Sequence, residues 1–255
     1  MPELRLLIEG VCSPREESRL LAALRNDPRQ GAAALAESLD RKRAARRAET
    51  RRVARLMKLR GELRDAGARF IAGVDEVGMG PLAGPVVAAA VVLPDSIELP
   101  GLDDSKRLTR ATRERLDVPI REQALAFAIA EVSPAEVDRL NVYHAGLTAM
   151  RRAVLALHVG PDHVLVDART IPDIPPPQTP IKGGDALDAS IAAASVIAKV
   201  HRDATMRALD SAHPGYGFAG HKGYPTASHL QALERLGPSP VHRRSFAPVA
   251  QLSLF

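Results

Sequence analysis

The stretch Ile71–Leu93, IAGVDEVGMGPLAGPVVAAAVVL, decides how the rest of the chain is read. It begins with a short apolar run that ends in two adjacent acids, Asp75 and Glu76. A turn dense in glycine and proline follows (Gly78, Gly80, Pro81, Gly84, Pro85), and then an apolar run from Val86 to Leu93 that fits a buried strand. The pattern predicts a strand, a tight turn and a second strand, with the charge at the turn. A charged pair is expensive to bury and a glycine-rich turn is costly to order. Acids in such a place hold a cation or face a phosphate, unless the hairpin simply turns them to water.

Outward from this stretch, 255 residues can bury one sizeable core with an appended element. An apolar content of 45% is ordinary for a soluble protein, and no run approaches the roughly 18 apolar residues of a membrane span. The first residues, MPELRLLIEGVCSPREESR, place acids inside their only apolar patch and lack a signal-peptide core, so a soluble, cytoplasmic protein is expected. Cys12 is the only cysteine, which excludes an intrachain disulfide and a thiolate zinc cluster. The net charge of +5 implies an anionic partner. Residues 1–66 hold 16 Lys/Arg against 10 Asp/Glu, leaving 19 against 20 for residues 67–255, so the positive excess is N-terminal.

From Pro14 to about Arg64 the composition is that of helix formers, with a break near Asn26–Gly31. The run RKRAARRAETRRVARLMKLR is basic on almost every face, as a solvated helix or one lying on phosphates would be. Gly67 marks the expected boundary of this extension. Beyond Leu93 a loop carries LDDSKRLT, and Thr109 opens a helix to about Gln123. Leu125–Val132 reads as a strand, Ala135 onward and Ala145–Leu157 as helices, and His163–Val166 as a short strand with Asp167 at its end. Pro172–Pro180 is expected to be an exposed, polyproline-like loop. IKGGD (181–185) precedes a strong helix over about Ala189–Ala212, and GYGFAGHKGYPT (215–226) looks like a ligand-wrapping loop. A helix over Thr226–Leu236 then leads to a basic patch at His242-Arg243-Arg244 and an extended tail. Strands interleaved with helices predict an α/β domain whose sheet is mixed, because the first strands form a meander.

Asp75 and Glu76 end one predicted strand, Asp167 ends another, and Asp185 lies at a helix start. Residues just past neighbouring strand ends converge on one rim of an open sheet. Four carboxylates there repel one another unless divalent cations lie between them, and oxygen-only ligation suits Mg2+ or Mn2+. Two such ions can clamp the attacking and leaving oxygens of a phosphoryl displacement.

The blocks GVDEVGMGPLAGPVVAAAVVL, DDSKRL, VLVDA, SIAAASVIAKVHRD and GFAGHKGYPTASHL with HRRSF, in this order between about Phe70 and Phe246, resemble bacterial ribonuclease HII. The resemblance implies an RNase H-like fold, a mixed five-stranded sheet flanked by helices, with a C-terminal helical portion beside the substrate groove. It implies a metal-dependent endonuclease that cuts the RNA strand of RNA–DNA hybrids, including single ribonucleotides in duplex DNA, on their 5′ side. On this resemblance Asp75, Glu76, Asp167 and Asp185 hold two Mn2+ or Mg2+ ions. The ions orient and deprotonate a water and stabilise the leaving 3′ oxygen. Asp188 competes for the fourth place, but the distance to SIAAAS favours Asp185, and Asp188 is expected to be an exposed residue near a helix start. Gly78-Met79-Gly80 falls on a motif, usually Gly-Arg/Lys-Gly, whose backbone reads the ribose 2′-OH; Met79 departs from it. Tyr224 matches a tyrosine that packs on the sugar at the DNA side of the junction. Ser105, Lys106, Lys199, Arg202 and Lys222 match or neighbour phosphate-holding positions.

The expected organisation is a basic helical extension (1–66), a catalytic domain (67–246) and an extended tail (247–255). In the tail, Gln251-Leu252-Ser253-Leu254-Phe255 resembles the QL(S/D)LF peptide with which bacterial replication proteins dock on the DNA polymerase III sliding clamp. The implied partners are the hybrid, ribonucleotide-containing DNA and the clamp, with no membrane and a monomer as the family default. A noncatalytic hybrid-binding protein of the same fold is the alternative. A P-loop ATPase is excluded, because GVDEVGMGPLAG lacks the terminal Lys-Ser/Thr and carries acids where phosphates would sit.

Overall fold

The computed structural model describes residues 13–97 and 99–252. The chain divides into two compact units between Ala54 and Arg55.

In the first unit, helix α1 (Pro14–Arg25) starts at a capping box: the Ser13 hydroxyl accepts from the Glu16 amide, and the Glu16 carboxylate accepts from the Ser13 amide. Helix α2 (Gln30–Leu56) begins in this unit and packs Ala32, Ala36 and Leu39 against Leu21 and Leu24. Arg46 reaches the nearly buried Glu17 at 2.5 Å, which ties the two helices across their open end.

The predicted boundary at residue 66 is displaced, because residues 55–66 pack within the second unit. Helix α3 (Lys58–Asp65) places Leu59 and Leu63 beside Ile71, Leu165 and Ile191. Its Arg60 is 2% exposed and donates to the carbonyls of Ile71 (3.2 Å) and Leu93 (2.7 Å) and to the Ser190 hydroxyl (3.0 Å). A composition dominated by charge hides this, because the one inward arginine looks like its neighbours in sequence.

The second unit is built on a five-stranded mixed sheet: β1 (Ile71–Val77), β2 (Val86–Val92), β3 (Ala126–Val132), β4 (His163–Asp167) and β5 (Gln178–Ile181), in the order β3-β2-β1-β4-β5. The meander β1-β2-β3 is antiparallel, whereas β4 lies parallel to β1 and β5 parallel to β4. Every residue of β2 is buried, which explains its unbroken apolar run. Alternate side chains serve two cores. Val86, Ala88, Ala90 and Val92 meet one that includes Ala145, Ala149, Met150 and Ala153. Those four come from the helix Val142–Leu155, reached from β3 through the helix Arg110–Gln123's successor Pro134–Leu140. Val87, Ala89 and Val91 meet the second core, to which the helix Ala189–Ala212 contributes Ala192, Ala193, Val196 and Ile197.

The alanine-rich sequence of that last helix lets it approach β1 closely. A Cβ on Gly73 would fall 2.2 Å from the backbone nitrogen of Ile191 and from the carbonyl carbon of Ser190. Two further expectations are corrected. Pro180 belongs to β5 rather than to a loop, which an edge strand tolerates because a missing N–H there breaks no ladder. Residues Ala247–Leu252 form a short helix instead of an extended tail, with Val249 fully buried beside Leu82 and Leu233.

The packing at Gly73 leads to a direct test. Gly73→Ala must push the helix off the sheet because the clash is with backbone, and overpacking of this kind costs about 1–3 kcal/mol or more. A fall of several degrees in thermal midpoint is expected; an unchanged midpoint would contradict the close approach.

Candidate active site

The sheet brings three of the predicted acids to one end. In the parallel pairing of β1 with β4, Val74 lies opposite Val166, so the next residues, Asp75 and Asp167, leave the two strands side by side. Along β1 the side chains alternate: Asp75 shares the face of Gly73 and the helix Ala189–Ala212, whereas Glu76 shares the face of Ala72 and Val74. Asp185 arrives from the 3-10 turn Gly184–Ala186. That turn is tied to β4 by the Gly184 amide, which donates to Asp167 Oδ1 at 2.7 Å. Asp75 and Asp185 are 3% and 4% exposed.

Burial is the main reason that the Asp75 carboxyl is held well above the ordinary range, and the charges of Glu76, Asp167 and Asp185 add to it, while the Ser195 hydroxyl pulls the other way. Glu76 is likewise raised, chiefly by burial and by Asp167, against the opposing pull of Arg169. Its Oε2 is buried and has no hydrogen-bond partner among the described residues. Lys106 reaches Asp185 Oδ2 at 3.1 Å, and despite its partial burial the Asp185 carboxylate holds it above its usual value. Among the described residues no three His, Cys, Asp or Glu side chains stand together at ion-binding spacing. The donor chemistry nevertheless fits a hard divalent cation: all donors are oxygens, mutually repelling, with one buried carboxylate oxygen unpartnered.

Asp75, Glu76 and Asp167 form one wall of a cleft of about 350 Å³. Its other walls include the turn Gly78-Met79-Gly80, Ser105, Lys106, Arg169, Lys199, Arg202 and Tyr224. The turn is fixed from behind by two arginines. Arg243, fully buried, donates to the carbonyls of Gly78 (2.6 Å), Met79 (3.0 Å) and Gly84 (2.9 and 3.1 Å). Arg202, 1% exposed, donates to the carbonyls of Ala83 (3.2 Å), Pro85 (3.0 Å) and Lys222 (3.1 Å). Gly78 has φ +89°, and a Cβ there would lie 2.2 Å from Arg202 Nε, so the position accepts only glycine. The amides of Met79 and Gly80 make no hydrogen bond among the described residues. Both residues line the cleft, so these N–H groups are uncommitted donors at its wall.

Residues 72–249 match the ribonuclease HII family. The ribonuclease HII of Anaeromyxobacter sp. (strain Fw109-5) is 55% identical over 230 residues, 90% of this chain and 73% of that one. The ribonuclease HII of Geobacillus kaustophilus (strain HTA426) is 53% identical over 243 residues, 95% of this chain and 91% of that one. The chain belongs to the ribonuclease HII family. It is accordingly a hydrolase of the RNase H class, an endonuclease acting on the RNA of RNA–DNA hybrids. Among solved structures, ribonuclease H2 from Pyrococcus horikoshii OT3 superposes with a TM-score of 0.62 at 24% identity, over 73% of this chain and 98% of that one. Bst-RNase HIII in complex with Mn2+ gives 0.60 at 20% identity, over 74% and 70%. The RNase HII of the PCNA:RNase HII complex from Archaeoglobus fulgidus gives 0.58 at 26% identity, over 71% and 96%. The fold is RNase H-like, as the resemblance implied.

Several of the ribonuclease HII positions carried over from sequence line this cleft while already bonded within the protein. Ser105 is buried and shares a 2.7 Å hydrogen bond with Ser195. Lys199 is paired with Asp203 at 2.6 Å. Arg202 holds backbone, and Lys222 turns its ammonium back to the Ala219 carbonyl. Asp188 is fully buried rather than exposed, capping the helix Ala189–Ala212 through the Ser190 and Ile191 amides. Arg243 belongs to no surface patch. Tyr224 is 45% exposed beside Gly80. Gln251 and Leu252 close the last helix, and Ser253, Leu254 and Phe255 lie outside the described residues.

A histidine relay that sequence reading passed over holds the Tyr224 loop. The Ser239 amide donates to His242 Nδ1 (3.0 Å), so the His242 proton sits on Nε2 and is given to His229 Nε2 (3.1 Å). His229 then carries its proton on Nδ1 and donates to the Tyr224 carbonyl (2.9 Å). His221 stacks on His229 at 4.3 Å and accepts from the Gly223 amide (3.1 Å). The three bonds accepted by ring nitrogens require neutral rings. Burial, with His229 adding to it, lowers His242 from 6.5 to about 4. A histidine depressed on folding contributes stability above its unfolded value and loses it as pH falls toward the folded one. Urea unfolding should therefore show stability falling between pH 6.5 and about 4, with on the order of 3 kcal/mol from this site. His242→Asn should flatten that slope; an equal slope in the variant would remove the relay as its cause.

Proposed function

We propose that this ribonuclease HII cleaves on the 5′ side of ribonucleotides, including a single ribonucleotide within duplex DNA, with two Mn2+ or Mg2+ ions held by Asp75, Glu76, Asp167 and Asp185. The observation that carries the reading is the placement of buried, mutually repelling acids directly beside a backbone turn whose amides are free for a ligand. Divalent ions bound by these acids would supply the Lewis acidity that phosphodiester hydrolysis needs. The Met79 and Gly80 amides donate to the 2′-oxygen, a contact that a deoxyribose cannot provide. Tyr224, exposed beside Gly80, lies against the adjoining sugar, where a 2′-OH would disturb its packing. Lys106 lowers the cost of gathering the acids before substrate arrives. Because recognition at the turn is by backbone, Met79 preserves it.

The test is cleavage of a labelled DNA duplex carrying one ribonucleotide, with Mg2+ or Mn2+, beside an all-DNA duplex and the Asp75→Asn protein. One metal-dependent cut 5′ to the ribonucleotide is expected, with turnover reduced at least about a hundredfold in the variant and binding retained. Binding without any cut would instead favour the noncatalytic reading.

A contact with the DNA polymerase III sliding clamp through Gln251–Phe255 is also proposed. Its support is the QLSLF sequence, and a solved neighbour from Archaeoglobus fulgidus is itself in complex with PCNA. Removing residues 251–255 should abolish co-elution with the purified clamp while leaving cleavage of short duplexes unchanged; retained co-elution would place the contact elsewhere.

A further inference from the structure

Of the four cationic side chains that line the cleft, three are already engaged. Lys106 is bonded to Asp185, Lys199 to Asp203, and Arg202 to three backbone carbonyls. Arg169 differs. It follows Asp167 after a single left-handed residue, Ala168 at φ 56°, and its side chain is 26% exposed. Its nearest anion is Glu76, with Nη2 to Oε1 at 3.7 Å, too long for a hydrogen bond. Its Nη1 is buried and has no partner among the described residues.

What holds the guanidinium is shape. It lies 5.0 Å from the centre of the Tyr143 ring, and Tyr143 is 51% exposed at the start of the helix Val142–Leu155. On that helix Gly146 leaves room for both Met79 and Arg169: a Cβ there would lie 2.9 Å from Met79 Sδ and 3.3 Å from Arg169 Nη1. Stacking on an aromatic ring orients a planar guanidinium without using its N–H donors. A buried donor left unsatisfied is costly, and an arginine fork matches a phosphate better than it matches one distant carboxylate oxygen.

We infer that Arg169, stacked on Tyr143 on the Met79 side of the glycine turn, is a subsite for a phosphodiester group of the substrate backbone. The inference rests on the proposed function, since the ligand is the nucleic acid that this cleft takes. Tyr143 orients the fork and offers its exposed ring to the neighbouring sugar or base. Met79, apolar and packed at Gly146, supplies no competing charge there. A role limited to neutralising Glu76 would give Arg169 an effect on turnover and none on the ionic part of binding.

The test is binding of a fluorescent DNA duplex with one ribonucleotide to the Asp75→Asn protein between about 50 and 300 mM KCl. Adding Arg169→Gln should weaken binding roughly tenfold at low salt and reduce the slope of log K against log salt by about 1. Arg169→Lys should keep the slope and recover only part of the affinity, because the fork is lost. Tyr143→Ala should weaken binding with the slope retained, and Tyr143→Phe should bind like the parent. An unchanged slope and affinity in correctly folded Arg169→Gln, whether or not turnover falls when Asp75 is restored, would overturn the subsite. Cleavage of the same duplex by the unmodified protein is scored in parallel. Absence of that cleavage would count against the functional reading, whereas cleavage with an unchanged slope would count against the subsite alone.

Discussion

Three arginines buried to within 2% of complete exclusion from water hold the second unit in working order. A guanidinium loses much of its hydration on burial, and only a full set of well-placed acceptors offsets that loss. Here most of the acceptors are backbone carbonyls. Arg60 takes those of Ile71 and Leu93, Arg202 those of Ala83, Pro85 and Lys222, and Arg243 those of Gly78, Met79 and Gly84. Apart from that of Lys222, which ends the short helix Phe218–His221, the carbonyls belong to irregular chain between β1 and β2 or to strand ends, where no ladder is available to them. Burial lowers Arg243 to about 9, which leaves it charged at neutral pH. Without these bonds the glycine turn would have many conformations; with them, its amides stand in one place beside the acids.

The same constraint sets the electrostatics of the cleft. Because Arg202 and Arg243 are engaged by neutral carbonyls, neither forms an ion pair with a cleft acid, and the negative charge of Asp75, Glu76, Asp167 and Asp185 is balanced only at its margin, by Lys106 and Arg169. An excess of carboxylate in a low-dielectric pocket is unfavourable to the isolated protein, as the raised Asp75 and Glu76 show. It is also what gives a divalent cation something to do there. On the proposed function, stability would be traded locally for cation affinity, with the two cores around β2 carrying the cost.

What was legible in the sequence follows from range. The strand, turn and strand of Ile71–Leu93, the mixed sheet and the grouping of Asp75, Glu76 and Asp167 at one sheet end depend on periodicity and on rules of sheet topology, which act locally. Misread residues are those whose setting depends on distant chain. Arg243 lies in a run, HRR, that looks like a surface patch, yet its partners are some 160 residues away. Asp188 looks like an exposed residue near a helix start, and is buried because Arg60, from a helix assigned to the extension, packs above it. Ser105 and Lys199 line the cleft, and Ser195 and Asp203 already bond them, a commitment that a motif does not reveal. A signal for Arg243 existed in principle: a turn with this many exposed carbonyls needs donors from somewhere.

Residue type and commitment are therefore separate questions in this cleft. A motif predicts that a cation is present, but hydrogen bonding decides whether it is available to a ligand. Lys199 and Arg202 sit on the helix packed most tightly to the sheet, where exclusion of water makes an unpaired charge most costly, and both are paired. Arg169 sits where β4 ends and the chain turns into an exposed segment, stacked on an aromatic face that uses none of its hydrogen-bond donors. Within the proposed function, the scissile group would meet the acids and the ions they would hold, while Arg169 keeps N–H donors for the backbone beside them.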